Sequence, residues 1–201
     1  MDHSQRKISD IAEVLPGYAL KTRALHEPDG SHQIILAKHL KAGAHYSFEP
    51  GHALRISPGT DVEKYIIRQG DVLFVSRGVH NHACAVTSVP ANTIASSTLY
   101  IIRRNTDISS RYLAWCMNQQ MTQTQIARVR TGAATPIIQR VEFSAITIPV
   151  PPVLIQRQIV KLDELMQKEM EIQIVLTQQA EKLHNKLGNE LMKKLSSGNY
   201  H

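Results

Sequence analysis

Side chains able to do chemistry crowd closest at His80-Asn81-His82-Ala83-Cys84, just beyond Arg77. On an extended strand alternate residues share a face, so His80, His82 and Cys84 would point together, as ligands of a zinc-dependent enzyme would. Zinc sites of reduced proteins usually draw ligands from separated pairs, and no second cluster with suitable spacing follows, so no metal is expected. The same residues suit a loop that forms hydrogen bonds. Asn81 carries the donor and acceptor that match an adenine edge, and Arg77 the fork that matches guanine. An ordinary turn residue is the competing reading of Asn81.

The surrounding charge points the same way. From residue 77 to residue 140 the basic residues are Arg77, Arg103, Arg104, Arg111, Arg128, Arg130 and Arg140, with Asp107 the sole acid and no lysine. Arginine favours planar, bidentate recognition of phosphates or guanine edges, so as a set these residues imply an anionic partner. Any one of them is equally well read as snorkelling or paired within the fold. Net charge over the chain is only +6. No Gly-x-x-x-x-Gly-Lys loop, Gly-x-Gly-x-x-Gly turn, Asn/Asp-Pro-Pro-aromatic motif or Gly-x-Ser-x-Gly elbow occurs, so the familiar nucleotide-binding and hydrolase signatures are missing.

The elements that must position these residues are punctuated by glycine and proline. Ile8–Val14 has helix-like or short-turn spacing and stops at Pro16-Gly17. His32–Leu36 reads as a strand, and 42–60, with Gly43, Pro50, Gly51, Pro58 and Gly59, as mostly loop. Gly70-Asp71 predicts a turn before an apolar strand that stops at Arg77-Gly78, and 83–89 and 97–103 are further β-branched strands. Asp107 or Ser109 can cap a helix carrying Ile108, Tyr112, Leu113 and Cys116. Residues 131–136 form a loop and 145–149 a last strand. Strands with helices interspersed predict an α+β head. Cys84 and Cys116 are expected as free thiols of a reducing compartment, and the N-terminus has no apolar signal core, so the chain is placed in the cytoplasm, off the membrane.

Three prolines in Pro149-Val150-Pro151-Pro152 interrupt any helix or central strand. Beyond them, to Leu195, only Gly188 breaks an otherwise helical composition, with balanced charge: seven Lys/Arg against six Asp/Glu. Ile155, Ile159, Leu162 and Met166, and then in the same heptad phase Leu176, Ala180, Leu183 and Leu187, bracket a polar middle at Glu169 and Gln173. A seven-residue repeat held in phase is the mark of a coiled coil. About 43 residues at ~1.5 Å each make a rod of roughly 65 Å, too long to pack only on a head roughly 30 Å across. A partner helix from a second copy is the expectation.

With these pieces in place, the chain resembles one half of the specificity subunit of type I DNA restriction–modification systems. The likeness rests on Ile8–Val14 with Gly17, on Gly70-Asp71-Val72-Leu73-Phe74 and Ser76-Arg77-Gly78, and on Ile108–Leu113. It continues through Thr131–Ile138 and, most specifically, through Ile148-Pro149-Val150-Pro151-Pro152 and Gln156–Val160. The family's usual acidic residue before that glutamine is replaced here by Ile155.

The resemblance implies a target recognition domain at 1–150, a spacer and dimerisation helix at 151–196 and a disordered tail at 197–201. Such subunits usually hold two recognition domains and two long helices, so a chain with one of each is expected to pair with itself as an antiparallel coiled-coil homodimer. It implies no catalysis and no bound cofactor in this chain, with S-adenosylmethionine in partner methyltransferase subunits and restriction subunits as further partners. Double-stranded DNA is the ligand. Arg77, His80, Asn81 and His82 are the candidate base readers, and Arg103, Arg104, Arg128 and Arg130 the candidate phosphate contacts. Thr131, Thr135 and Gln139 are placed near DNA, and Lys38, His39 and Lys41 form a second polar loop. The rival reading is a coiled-coil adaptor that assembles enzymes without touching DNA.

Overall fold

The computed structural model describes residues 5–20, 26–43, 45–59 and 61–197. The first elements are β1 (Gln5–Lys7), α1 (Ile8–Ile11), β2 (Ala12–Pro16), β3 (His32–Ile35), β4 (Tyr46–Ser47) and β5 (Arg55–Ile56). There follow β6 (Val72–Val75), β7 (Ala83–Ser88), β8 (Thr93–Ala95), β9 (Leu99–Arg104), α2 (Ser110–Asn118) and α3 (Gln120–Arg128). The last are β10 (Arg130–Thr131), β11 (Ile137–Ile138), α4 (Arg140–Ser144), β12 (Thr147–Pro149) and α5 (Val153–Ser196).

The strand β6, buried at every position, lies at the centre of a five-stranded sheet of order β2-β9-β6-β7-β4. Its pleat sends Val72 and Phe74 to one face and Leu73 and Val75 to the other. On the first face they join Tyr100 and Ile102 against Tyr112, Leu113 and Met117 of α2 and Phe143 of α4. On the second they meet Ile35, Leu40, Tyr46 and Ala95. A smaller sheet, β5-β3-β8, has its own apolar cluster of Ile34, Ile56, Val62 and Ile94. This is the α+β class expected.

Three side-chain amides tie helices to the rest of the fold. Asn118 in α2 accepts the Ala83 N–H at 2.8 Å and donates to the Ala83 carbonyl at 2.9 Å. Gln125 in α3 treats Thr147 the same way, at 3.1 and 2.9 Å. Gln156 in α5 accepts the Ser109 N–H at 2.9 Å and donates to the Pro151 carbonyl at 2.8 Å. Each amide satisfies buried backbone groups that no strand partner reaches.

Two expectations need correction. Ile8–Val14 is not one helical segment: a single turn buries Ile8 and Ile11, and from Ala12 the alternation becomes that of a strand paired with β9. The predicted loop at 42–60 contains β4 and β5, and β8 was not anticipated, because two- and three-residue strands exist only through distant partners. Gly17 sits where the chain leaves β2. A Cβ there would collide with the Ser96 carbonyl, so the position admits only glycine.

The helix start predicted at Ser109 is present, its hydroxyl accepting the Tyr112 N–H. After the prolines, α5 runs for 44 residues. The chain divides into two compact units, Met1–Val160 and Lys161–His201, and the division falls inside α5. Gln156 is buried, and Ile159 and Val160 pack on the core of the first unit, which claims the opening turns of the helix. In the second unit α5 continues to Ser196, with Ser197 bonded back to Lys193; residues 198–201 of the expected tail lie outside the described residues.

Candidate nucleic-acid interface

The connection from β6 to β7 is a braced loop. Val75 N–H donates to the His82 carbonyl at 2.9 Å, closing its base, and the Asn81 amide donates to the Val75 carbonyl at 2.9 Å. Ser76 donates to the Thr98 carbonyl from both its N–H, at 2.9 Å, and its hydroxyl, at 3.1 Å. Gly78, at φ +93°, supplies the left-handed bend that turns the tip.

A second hairpin is laid against this loop. In it β10 pairs with β11, Arg130 opposite Ile138 and Thr131 opposite Ile137. Gly78 N–H donates to the Pro136 carbonyl at 2.8 Å, Ile138 N–H donates to the Ser76 carbonyl at 3.0 Å, and Arg77 bridges to Ile137. Tyr100 hydroxyl donates to the Ile138 carbonyl at 2.6 Å. Burial raises the Tyr100 pKa, while the charges of Arg140 and Arg77 pull it down. Two arginines from separate segments thus lie close to one phenol at this end of the sheet.

On the opposite face the 37–43 turn meets the same loop. The His82 ring nitrogen Nε2 donates to the Leu40 carbonyl at 3.3 Å, and the Cys84 thiol donates to the Lys41 carbonyl at 3.2 Å. Lys38 and Lys41 are exposed. His39 is stacked on His52 with centroids 4.7 Å apart, and its Nδ1 accepts the Leu36 N–H. Burial, then the neighbouring His52 and Lys38, lower its pKa to about 4. His39 is therefore neutral at ordinary pH and adds no cation to this turn.

The sheet end thus gathers Arg77, His80, Thr131 and Thr135, all exposed, with half-buried Arg130 and with Lys38 and Lys41. Arg128 ends α3 just before β10, and Gln139 stands at the start of α4 just after β11, both exposed. Four of the proposed contacts, Asn81, His82, Arg103 and Arg104, bond the fold's own groups, His82 through the Leu40 carbonyl. Asn81 is only 4% exposed with its amide on Val75, which leaves it no edge to offer a base. Arg103 grips Asp71 through Nε at 3.0 Å and Nη2 at 2.9 Å, and Nη2 also reaches the Ile66 carbonyl at 3.0 Å. The bond to Asp71 raises the Arg103 pKa. Arg104 donates to the Ile108 carbonyl at 3.4 Å. Both arginines sit at the far end of β9, whose Leu99 end faces Val75; at ~3.4 Å per residue that is roughly 14–17 Å along the strand.

His80, His82 and Cys84 do not converge on a metal site, and among the described residues no three His, Cys, Asp or Glu side chains are placed to hold one. Cys84 is buried, and burial pushes its thiol up to about 12; Cys116 rises to about 11 for the same reason. Both are free thiols. Arg140, marked only by its membership of the arginine-only stretch, lies near Tyr100 and donates to the Val14 carbonyl at 3.4 Å. Val79, 56% exposed at the loop tip, carried no signal at all.

Along α5 the heptad residues Leu162, Met166, Leu176, Ala180, Leu183 and Leu187 are exposed, and Ile155 is exposed at 37%. Ile159 is the exception, packed on the core of the first unit. Among the described residues no helix is long and apolar enough to cross a membrane.

Solved structures from type I restriction–modification systems are similar to this chain. The S subunit of a type I restriction–modification system from M. genitalium matches at 12% identity with a TM-score of 0.55, over 98% of this chain and 46% of that one. A chain from a structure described as the basis of complex assembly and conformational transition of the type I R-M system matches at 13% identity and TM-score 0.67, over 95% and 45%. The HsdS subunit from Thermoanaerobacter tengcongensis matches at 16% identity and TM-score 0.54, over 84% and 38%. The chain therefore spans less than half the length of these structures, and at such identities they establish the fold alone. No curated protein sequence matches it. Residues 2–182 match the family described as type I restriction modification DNA specificity domain. With nearly its whole length accounted for in that way, the chain belongs to the type I restriction–modification DNA specificity family.

Proposed function

We propose that this chain reads one half of a bipartite DNA target at the end of the five-stranded sheet and serves as the specificity component of a type I complex. A member of this family supplies recognition and no catalysis of its own. The observation that carries the reading is the hydrogen-bonded junction of the β6–β7 loop with the β10–β11 hairpin. It sets Arg77, His80 and Arg130 around one braced tip, with Arg140 nearby, beside Tyr100 and donating to the Val14 carbonyl at 3.4 Å. Fixed arginines beside a stiff loop suit base edges and phosphates. Arg77 and His80 are the base readers; Arg128, Arg130, Arg140, Lys38 and Lys41 are the phosphate contacts, with Thr131, Thr135 and Gln139 beside them.

The exposed heptad face of α5 pairs with that of a second copy, antiparallel, so that Leu162 and Met166 meet Ala180 and Leu176 of the other chain. Two such copies restore a length comparable to the structures above, of which this chain covers less than half. Identical readers related by a two-fold axis select an inverted repeat. Methyltransferase subunits carrying S-adenosylmethionine, and restriction subunits where present, dock on this assembly in the cytoplasm.

The test is equilibrium binding of the full chain to randomised duplexes across a salt series. Affinity that falls steeply with salt, and enrichment of a split inverted repeat, are expected. Binding indifferent to salt and nucleic acid would leave an adaptor that only assembles other proteins.

A further inference from the structure

The tip of the β6–β7 loop holds an apolar side chain that the fold does not use. Val79 is 56% exposed and belongs to none of the three buried clusters, although it lies between Arg77 and His80. The loop cannot swing it inward. Its base is closed by the Val75–His82 and Asn81–Val75 hydrogen bonds, and its tip is held to the hairpin through Gly78 and Pro136. Valine is moreover stiff at χ1, so its methyls are presented in a narrow set of directions.

A side chain with no donor or acceptor can discriminate only by apolar contact. On the base edges of a duplex the apolar group is the C5-methyl of thymine, which faces the major groove. The geometry points to Val79 as a specificity-determining residue that packs on a thymine methyl next to the base pair read by Arg77. This rests on the reading of that sheet end as the DNA interface. It adds that the half-site contains a thymine recognised by its methyl and not by hydrogen bonds.

The experiment starts from the half-site that the full chain enriches from randomised duplexes. Each thymine of that site is replaced singly by deoxyuridine, which keeps the pairing edge and removes the methyl. Wild type is expected to lose about fourfold in affinity at one position, the worth of one buried methyl, and Val79→Ala to lose nothing further there. If no thymine separates wild type from Val79→Ala while Arg77→Ala still alters the enriched site, the role of Val79 is overturned and the interface stands. If Arg77→Ala also leaves the enriched site unchanged, the interface itself is misplaced and the proposal falls with it.

Discussion

The side-chain carbonyl of Gln156 accepts the backbone N–H of Ser109 at 2.9 Å, joining the first turns of α5 to the cap of α2 across 47 residues of sequence. The same amide donates to Pro151, and the Tyr112 hydroxyl donates to the Pro149 carbonyl at 3.1 Å. The proline join is thus held at both ends by side chains of α2 and α5.

Removing that amide strands two buried backbone groups at once. Gln156→Ala is expected to cost about 2–4 kcal/mol, and Gln156→Glu more, because it puts a carboxylate oxygen against the Pro151 carbonyl. Urea denaturation followed by circular dichroism measures both. A loss under about 0.5 kcal/mol for Gln156→Ala would mean that the join holds without it.

Arg103 is expected to matter for folding and not for recognition. Its partner Asp71 is 4% exposed at the side chain, and Arg103→Ala leaves that carboxylate buried without its cation. Such removals cost about 3–5 kcal/mol, toward the lower figure here because Arg103 itself keeps 23% exposure. The DNA sequence preferred by the surviving folded fraction should be unchanged, as a selection on randomised duplexes would report.

Arg77 and Arg140 should separate by kind of effect. Arg77→Ala is expected to cost about 1–3 kcal/mol and to relax preference at one base pair. Arg140→Ala should weaken all sequences alike and lower the slope of log affinity on log salt by about one. A sequence-dependent effect of Arg140→Ala would move it among the base readers.

The proposed pairing of α5 has a distinct register. If Leu162 meets Ala180 and Met166 meets Leu176 of the other copy, the two-fold axis passes level with Glu171. Met170→Cys should then form a disulfide with its own counterpart, while Leu183→Cys should not; a parallel pairing would allow Leu183→Cys to cross-link to itself. Leu183→Glu should give monomers by light scattering.

The two thiols give a test of burial. Folded chain at pH 8 should resist a thiol reagent that modifies both cysteines in urea, since each thiol is held well above its usual pKa. A thiol that stays protonated only when folded favours the native state below about pH 9. That contribution is lost as pH rises toward the folded values of about 11 and 12. Cys84→Ala/Cys116→Ala chain should accordingly show a shallower decline in stability over that alkaline window.

What could be read from the residues alone followed from local patterning. The turn at Gly70-Asp71, the run Val72–Val75, the cap at Ser109 and the stop at the prolines each depend on a few neighbours. The strand nature of Ala12–Pro16 does not, because its partner is β9, late in the first unit. The site divides in the same way. Arginine excess marked Arg77 and Arg130, but nothing in an arginine tells whether it faces solvent or, like Arg103, an aspartate 32 residues earlier. The two readings of Asn81 could not be separated for the same reason: its hydrogen bond to Val75 depends on how the loop closes.

The pairing of β1 with β12 sets Gln5 opposite Pro149. Entry to and exit from the reader therefore lie side by side, like the two leads of a plug. A segment whose ends meet can be excised and replaced without pulling its surroundings apart, as circular permutation and domain insertion exploit elsewhere. Exchange of residues 5–149 for a foreign reader with the same β1–β12 closure, and with equivalent partners for Gln156, Ile159 and Val160, would then rewrite the address on the DNA and leave the helical connector intact.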